Sequence, residues 1–97
     1  MKQLHHFVDG KAVAGGAGNF SPVYNASTGE QISELPLATA DEVRAVIASS
    51  QKAYPGWAAT PPSARARVMF RYKELIETHM DELSELCSIE HGKVKSD

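Results

Sequence analysis

Apolar positions change their rhythm near residue 38. Before it they come in short runs or at every second place; after it they recur at intervals of three and four. Phe7-Val8 and Lys11-Ala12-Val13 flank Asp9-Gly10. Asp-Gly between short apolar runs predicts a two-residue β-hairpin, because both turn positions need φ > 0. Gly15-Gly16-Ala17-Gly18 reads as a flexible loop. Phe20–Tyr24 reads as a strand that Pro22 confines to a sheet edge, since proline cannot donate to a ladder. Thr28-Gly29 turns the chain, and Gln31–Leu35 alternates as a half-buried strand does.

From Thr39 the signals are helical. Thr39-Ala40-Asp41-Glu42 is a capping box: the Thr39 hydroxyl takes a free first-turn amide while Glu42 reaches back. Val43, Val46, Ile47 and Ser50 follow on one face. Tyr54-Pro55-Gly56-Trp57 predicts a break, with Trp57 in a loop as an apolar plug or interface anchor. Thr60-Pro61-Pro62 opens a second helix, because first-turn amides have no partner to lose. Val68, Met69, Tyr72, Leu75 and Ile76 form its predicted buried stripe. A third helix runs from about Met80 to His91, with Leu83, Leu86 and Cys87 on one face and Gly92 just past its end. The fold class is therefore an α+β segment: N-terminal β-hairpins over about 5–37, then three helices over about 39–92.

Totals change this picture little. Ninety-seven residues make one small domain at most, with a thin core. A hydrophobic share of 42% and a charged share of 23% argue against disorder. Net charge is −2, so no global field attracts nucleic acid or an anionic membrane. A lone cysteine fits a reducing compartment. No apolar run approaches the roughly 20 residues of a membrane span, and MKQLHHFVDGK lacks the apolar stretch of a secretion signal. The expected location is cytoplasmic, or the mitochondrial matrix if the source is eukaryotic.

Candidate chemistry is sparse. Cys87 is the one possible thiol nucleophile, but Glu85 and Glu90 flank it where an activated thiolate needs a cation or a helix N-terminus. It reads as a core cysteine. His5 and His6, adjacent on a strand, point to opposite faces, and His79 and His91 lack the i, i+4 spacing of helical metal ligands. Arg65, Arg67, Arg71 and Lys73 are followed by Glu74, Glu77, Asp81, Glu82, Glu85 and Glu90. That alternation reads as a solvated or ion-paired face rather than a nucleic-acid patch. The glycine run lacks the Gly-x-x-x-x-Gly-Lys-Ser/Thr pattern of a phosphate loop. No catalytic, cofactor-binding or metal residue is assigned.

Five stretches together resemble the N-terminal part of the aldehyde dehydrogenase superfamily: FVDGK at Phe7–Lys11, NASTGE at Asn25–Glu30, LPLATADEV at Leu35–Val43, AYPGWAATPPSARARVMFRYKELIE at Ala53–Glu77, and DELSELCSIEHGK at Asp81–Lys93. The details around Trp57 and Glu90-His91-Gly92-Lys93 are most similar to the methylmalonate-semialdehyde dehydrogenase branch. Ala26 stands where the family usually has proline, and Val94-Lys95-Ser96 replaces its usual Thr-Leu/Ile-Ala/Pro.

The resemblance implies an NAD-dependent enzyme that oxidises a semialdehyde to an acyl-CoA and assembles as a homo-oligomer. In that family a cysteine thiolate attacks the aldehyde, hydride passes to NAD, and water or coenzyme A releases the thioester. The catalytic cysteine, the oxyanion-hole asparagine, the cofactor-binding elements and the substrate arginines lie farther along a family chain. None corresponds to a position in 1–97, and Cys87 does not inherit the catalytic role. SIEHGKVKSD then reads as an interrupted passage, and residues 1–97 as an inactive N-terminal scaffold whose partner is the rest of its own polypeptide. The alternative is a free-standing interaction or assembly module descended from such an enzyme. On either reading the uncovered apolar stripes predict self-association or marginal stability for the segment alone.

Overall fold

In the computed structural model, which describes residues 1–97, five short strands precede three helices. The strands are β1 (Lys2–Gln3), β2 (His6–Val8), β3 (Lys11–Val13), β4 (Phe20–Tyr24) and β5 (Gln31–Pro36). The helices are α1 (Ala40–Ala59), α2 (Pro62–Thr78) and α3 (Met80–His91). None is long and apolar enough to cross a membrane.

β2 and β3 form the expected hairpin, with Phe7 opposite Ala12. Both turn residues lie in the left-handed region, Asp9 at φ 52° and Gly10 at φ 74°, as a two-residue turn of this twist requires. This ribbon pairs with no other strand. A separate sheet has the order β1-β5-β4. β4 runs antiparallel to β5 at the edge, where Pro22 costs no ladder bond. β1 pairs parallel to β5 through Lys2 and Gln3, a strand too short to show any periodicity in the sequence.

The β4–β5 turn is built by Asn25. Its side-chain oxygen accepts from the amides of Ser27 at 2.9 Å and Thr28 at 3.3 Å. The Ala26 amide points elsewhere, donating to the Ile89 carbonyl of α3 at 3.0 Å. That carbonyl belongs to the last turn, whose acceptors have no partner within the helix. Gly92 ends α3 at φ 71° while its amide returns to the Ser88 carbonyl. The turn residues Ala26 and Ser27 lie close beside it. A proline at position 26 has no N–H to offer α3.

Two expectations for the helices fail. First, α1 does not break at Tyr54–Trp57; it continues through Pro55 to Ala59 and ends at Thr60, whose amide returns to the Trp57 carbonyl. Pro55 removes one ladder bond, the one to the Gln51 carbonyl. Gln51 is exposed, so water can take that acceptor and the helix survives. Trp57 consequently lies on a helix, not in a loop.

Second, the predicted buried stripes are not buried. Ser33 and Pro36 are the chain's two buried residues, and no hydrophobic side chain joins them. Tyr72 is 57% exposed, Leu75 58% and Ile47 53%, and Cys87 is exposed too rather than a core cysteine. The shape explains this. The Cα radius of gyration is 17.1 Å, against about 12–13 Å for a compact chain of this length. The chain spreads into a plate of 47 × 38 × 16 Å. Amphipathic helices laid flat have nothing above them to cover their apolar faces.

Candidate functional site

Polar side chains converge most closely at the first turn of α1. Thr39 has extended backbone, φ −75° and ψ 162°, as an N-cap requires. Its hydroxyl accepts from the Glu42 amide at 3.0 Å, and Glu42 Oε1 accepts from the Thr39 amide at 3.2 Å. The same oxygen accepts from the Gly16 amide, also at 3.2 Å. The second oxygen, Oε2, lies 3.7 Å from His6 Nε2. One carboxylate thus caps a helix, holds the glycine loop and faces the hairpin.

These contacts lower the Glu42 pKa below the ordinary carboxylate value. The largest cause is the Thr39 backbone N–H, followed by that of Gly16; desolvation opposes them, and the Thr39 hydroxyl and His6 add smaller effects. The glycines have a packing reason to be there. A Cβ at Gly15 would lie 2.6 Å from the Pro36 Cβ and 3.1 Å from His6 Nε2. The run is a close approach of backbone to β5, not a phosphate cradle.

Beside this cluster a groove of about 440 Å³ opens between the hairpin and α1. Phe7, Val8, Val13, Val43, Val46 and Ile47 line it, with His6 and Glu42 also on its wall. Phe7 is 77% exposed. A second groove of about 480 Å³ follows the α2–α3 joint, where Ile76, Met80, Leu83, Cys87 and His91 meet residues of the C-terminal stretch. Apolar surface of this extent is built for packing.

The other residues singled out in the sequence stay apart. His79 joins α2 to α3, with Nδ1 3.2 Å from Glu82 Oε2. No three of the histidine, cysteine, aspartate and glutamate side chains converge as a metal site would require. Within the basic cluster, Lys73 pairs with Glu77 at 2.6 Å along its own helix, and Arg65 Nε donates to the Thr60 carbonyl at 3.1 Å. The double role of Glu42 was missed in the sequence. A glycine run without a phosphate-loop pattern, ahead of a capping-box glutamate, was the signal available.

A family model described as the aldehyde dehydrogenase family matches residues 13–97. A malonate-semialdehyde dehydrogenase of Pseudomonas aeruginosa is 41% identical over all 97 residues, which cover 19% of its own length. The human mitochondrial methylmalonate-semialdehyde/malonate-semialdehyde dehydrogenase [acylating] is 36% identical over 94% of this chain and 17% of its own. Among solved structures, an NAD complex from Sinorhizobium meliloti 1021, assigned as a methylmalonate-semialdehyde dehydrogenase, matches with a TM-score of 0.94 and 43% identity. It covers 100% of this chain and 20% of that one. The chain thus spans about a fifth of the length of the relatives it matches.

Proposed function

Since this chain belongs to the aldehyde dehydrogenase family, we propose that residues 1–97 form the N-terminal scaffold of an NAD-dependent, CoA-acylating semialdehyde dehydrogenase. The observation that carries this reading is the uncovered apolar surface. Three well-formed helices bury no residue among themselves, which suits a layer that leans on a larger body. The similarity to methylmalonate- and malonate-semialdehyde dehydrogenases supports methylmalonate or malonate semialdehyde as substrate, with coenzyme A as acyl acceptor.

Catalysis is assigned to the rest of such an enzyme. Residues 1–97 divide into a β-hairpin region of about 5–37 and a helical region of about 39–92, and neither is given a catalytic, cofactor-binding or metal-binding residue. The nicotinamide cofactor does not fit the groups present here. The Gly16 amide is committed to the Glu42 carboxylate, whose charge repels a phosphate, and the adjoining groove is apolar. Their partners are the remainder of the polypeptide and, through it, a second copy in a homo-oligomer. The proposed location is the cytoplasm, or the mitochondrial matrix in a eukaryote.

The test begins with the intact mass of the native product, captured from its source cells through this segment. A mass several-fold above 10.5 kDa is expected, together with NADH formation from malonate or methylmalonate semialdehyde that depends on coenzyme A. A native mass near 10.5 kDa would replace this reading with the free-standing assembly module. Turnover that ignores coenzyme A would retain the enzyme and reject the acylating step.

A further inference from the structure

We infer that His6 and Glu42 form a proton-operated clasp that fastens the β2–β3 hairpin to the first turn of α1 and sets the width of the groove between them.

The hairpin needs a fastening. It has two strands and pairs with no sheet, and an isolated two-stranded ribbon is marginal in water. Its polar tethers to α1 converge on one carboxylate: the Gly16 amide on Oε1 and His6 on Oε2. His6 Nε2 is shut off from solvent yet has no hydrogen-bond partner. Its nearest acid is Glu42 Oε2 at 3.7 Å. A bare nitrogen lone pair facing a carboxylate is repelled, whereas an N–H there is attracted, most strongly on an imidazolium.

No other charge competes at that nitrogen. Its cross-strand neighbour is Val13, and the glycine loop and Pro36 of β5, both close by, carry no charge. Asp41, next to Glu42 on α1, turns outward to Arg44. His5 is exposed and precedes β2.

The proton balance gives the clasp two edges. His6 sets the upper edge: a proton on Nε2 turns repulsion from the carboxylate into attraction, so the clasp holds while that nitrogen carries a proton toward Glu42 and slackens when it does not. Glu42 sets the lower edge. Its pKa is lowered from 4.5, so the carboxylate persists to below that pH and the clasp is lost as it protonates. Hairpin seating is therefore tightest when His6 carries the proton and Glu42 does not.

Hydrogen exchange by mass spectrometry on the native-length protein tests this, read on a peptide containing the Gly16 amide and corrected for intrinsic exchange. Moving from about pH 8 to about pH 5.5 should slow exchange there about three- to fivefold, the scale of a partly exposed ion pair. His6→Gln, which keeps a donor but cannot titrate, should flatten that response. His5→Gln should leave it unchanged, which guards against a general effect of losing a histidine. A flat wild-type profile would overturn the clasp, and so would an unaltered slope in His6→Gln. The readout is independent of catalysis, so the clasp stands or falls apart from the enzyme reading.

Discussion

Ser33 and Pro36, the two buried residues, both lie on β5, while α1, α2 and α3 bury none. The strands hold one another by pairing: β5 has a partner on each side. Each helix satisfies most of its backbone groups within itself and so needs no strand-like pairing partner. Its remaining need is cover for an apolar stripe, which nothing within residues 1–97 supplies. The sheet thus has its supports within these residues, and the helices carry a debt of uncovered surface. Helix stability in proteins comes mainly from packing an amphipathic face, so the two regions should respond differently when this chain is taken alone.

The largest expected effect follows from that asymmetry. The 97-residue chain by itself should melt broadly, with a midpoint that moves with concentration as the helices find cover in one another. Thermal unfolding followed by circular dichroism at several concentrations checks this. A sharp melt of a clean monomer, unchanged by dilution, would break the comparison.

Next comes Pro55. Because α1 runs through it, Pro55→Ala restores a ladder bond and should stabilise the native-length protein by about 2 kcal/mol. A urea midpoint that does not rise would return the break to Tyr54–Trp57. On the sheet side, Gly15→Ala sets a methyl against buried Pro36 at 2.6 Å and should cost about 1–3 kcal/mol through overpacking. The same urea titration reads it, and a neutral result would remove the close approach.

Smaller effects sharpen the boundary between the regions. Thr39→Ala should cost about 1 kcal/mol as a lost N-cap. Ala26→Pro removes the amide that reaches Ile89 and should cost about 1 kcal/mol, with faster exchange confined to the last turn of α3. Uniform loosening across all three helices would contradict that local role. Glu42 adds a pH signature of known sign. Its folded-state pKa is lowered, so its contribution is present above its unfolded value and disappears as the pH falls through the lower folded one. Wild type and Glu42→Gln should differ at neutral pH and converge in acid below pH 4.5.

Elements with a local chemical cause were legible in the residues. Asp9-Gly10 specifies its turn because few residues tolerate two left-handed positions. Thr39 and Glu42 cap α1 through neighbours three positions away, Pro62 opens α2 and Gly92 closes α3, each at short range. The family was legible from motifs in order, and the match over residues 13–97 agrees. Amphipathic periodicity marks the apolar faces of the helices, but the burial it predicts does not occur within these residues. Periodicity alone does not say what does the covering.

What the tertiary structure decided involves residues distant in sequence, or a local rule with two outcomes. Pro55 is a breaker by propensity, yet Gln51 lies on an exposed stretch where water can take the lost bond, and the helix continues. The Ala26 amide finds Ile89 and the Gly16 amide finds Glu42 only because the turn and the loop are brought there. Lys2 and Gln3 become a strand only because β5 offers its edge. The exposure of Cys87, Tyr72 and Leu75 follows from the flat shape of the whole chain. Local signals choose the elements because their causes lie within a turn or two. Where those elements meet, and what they leave uncovered, depends on contacts that no short window of sequence contains.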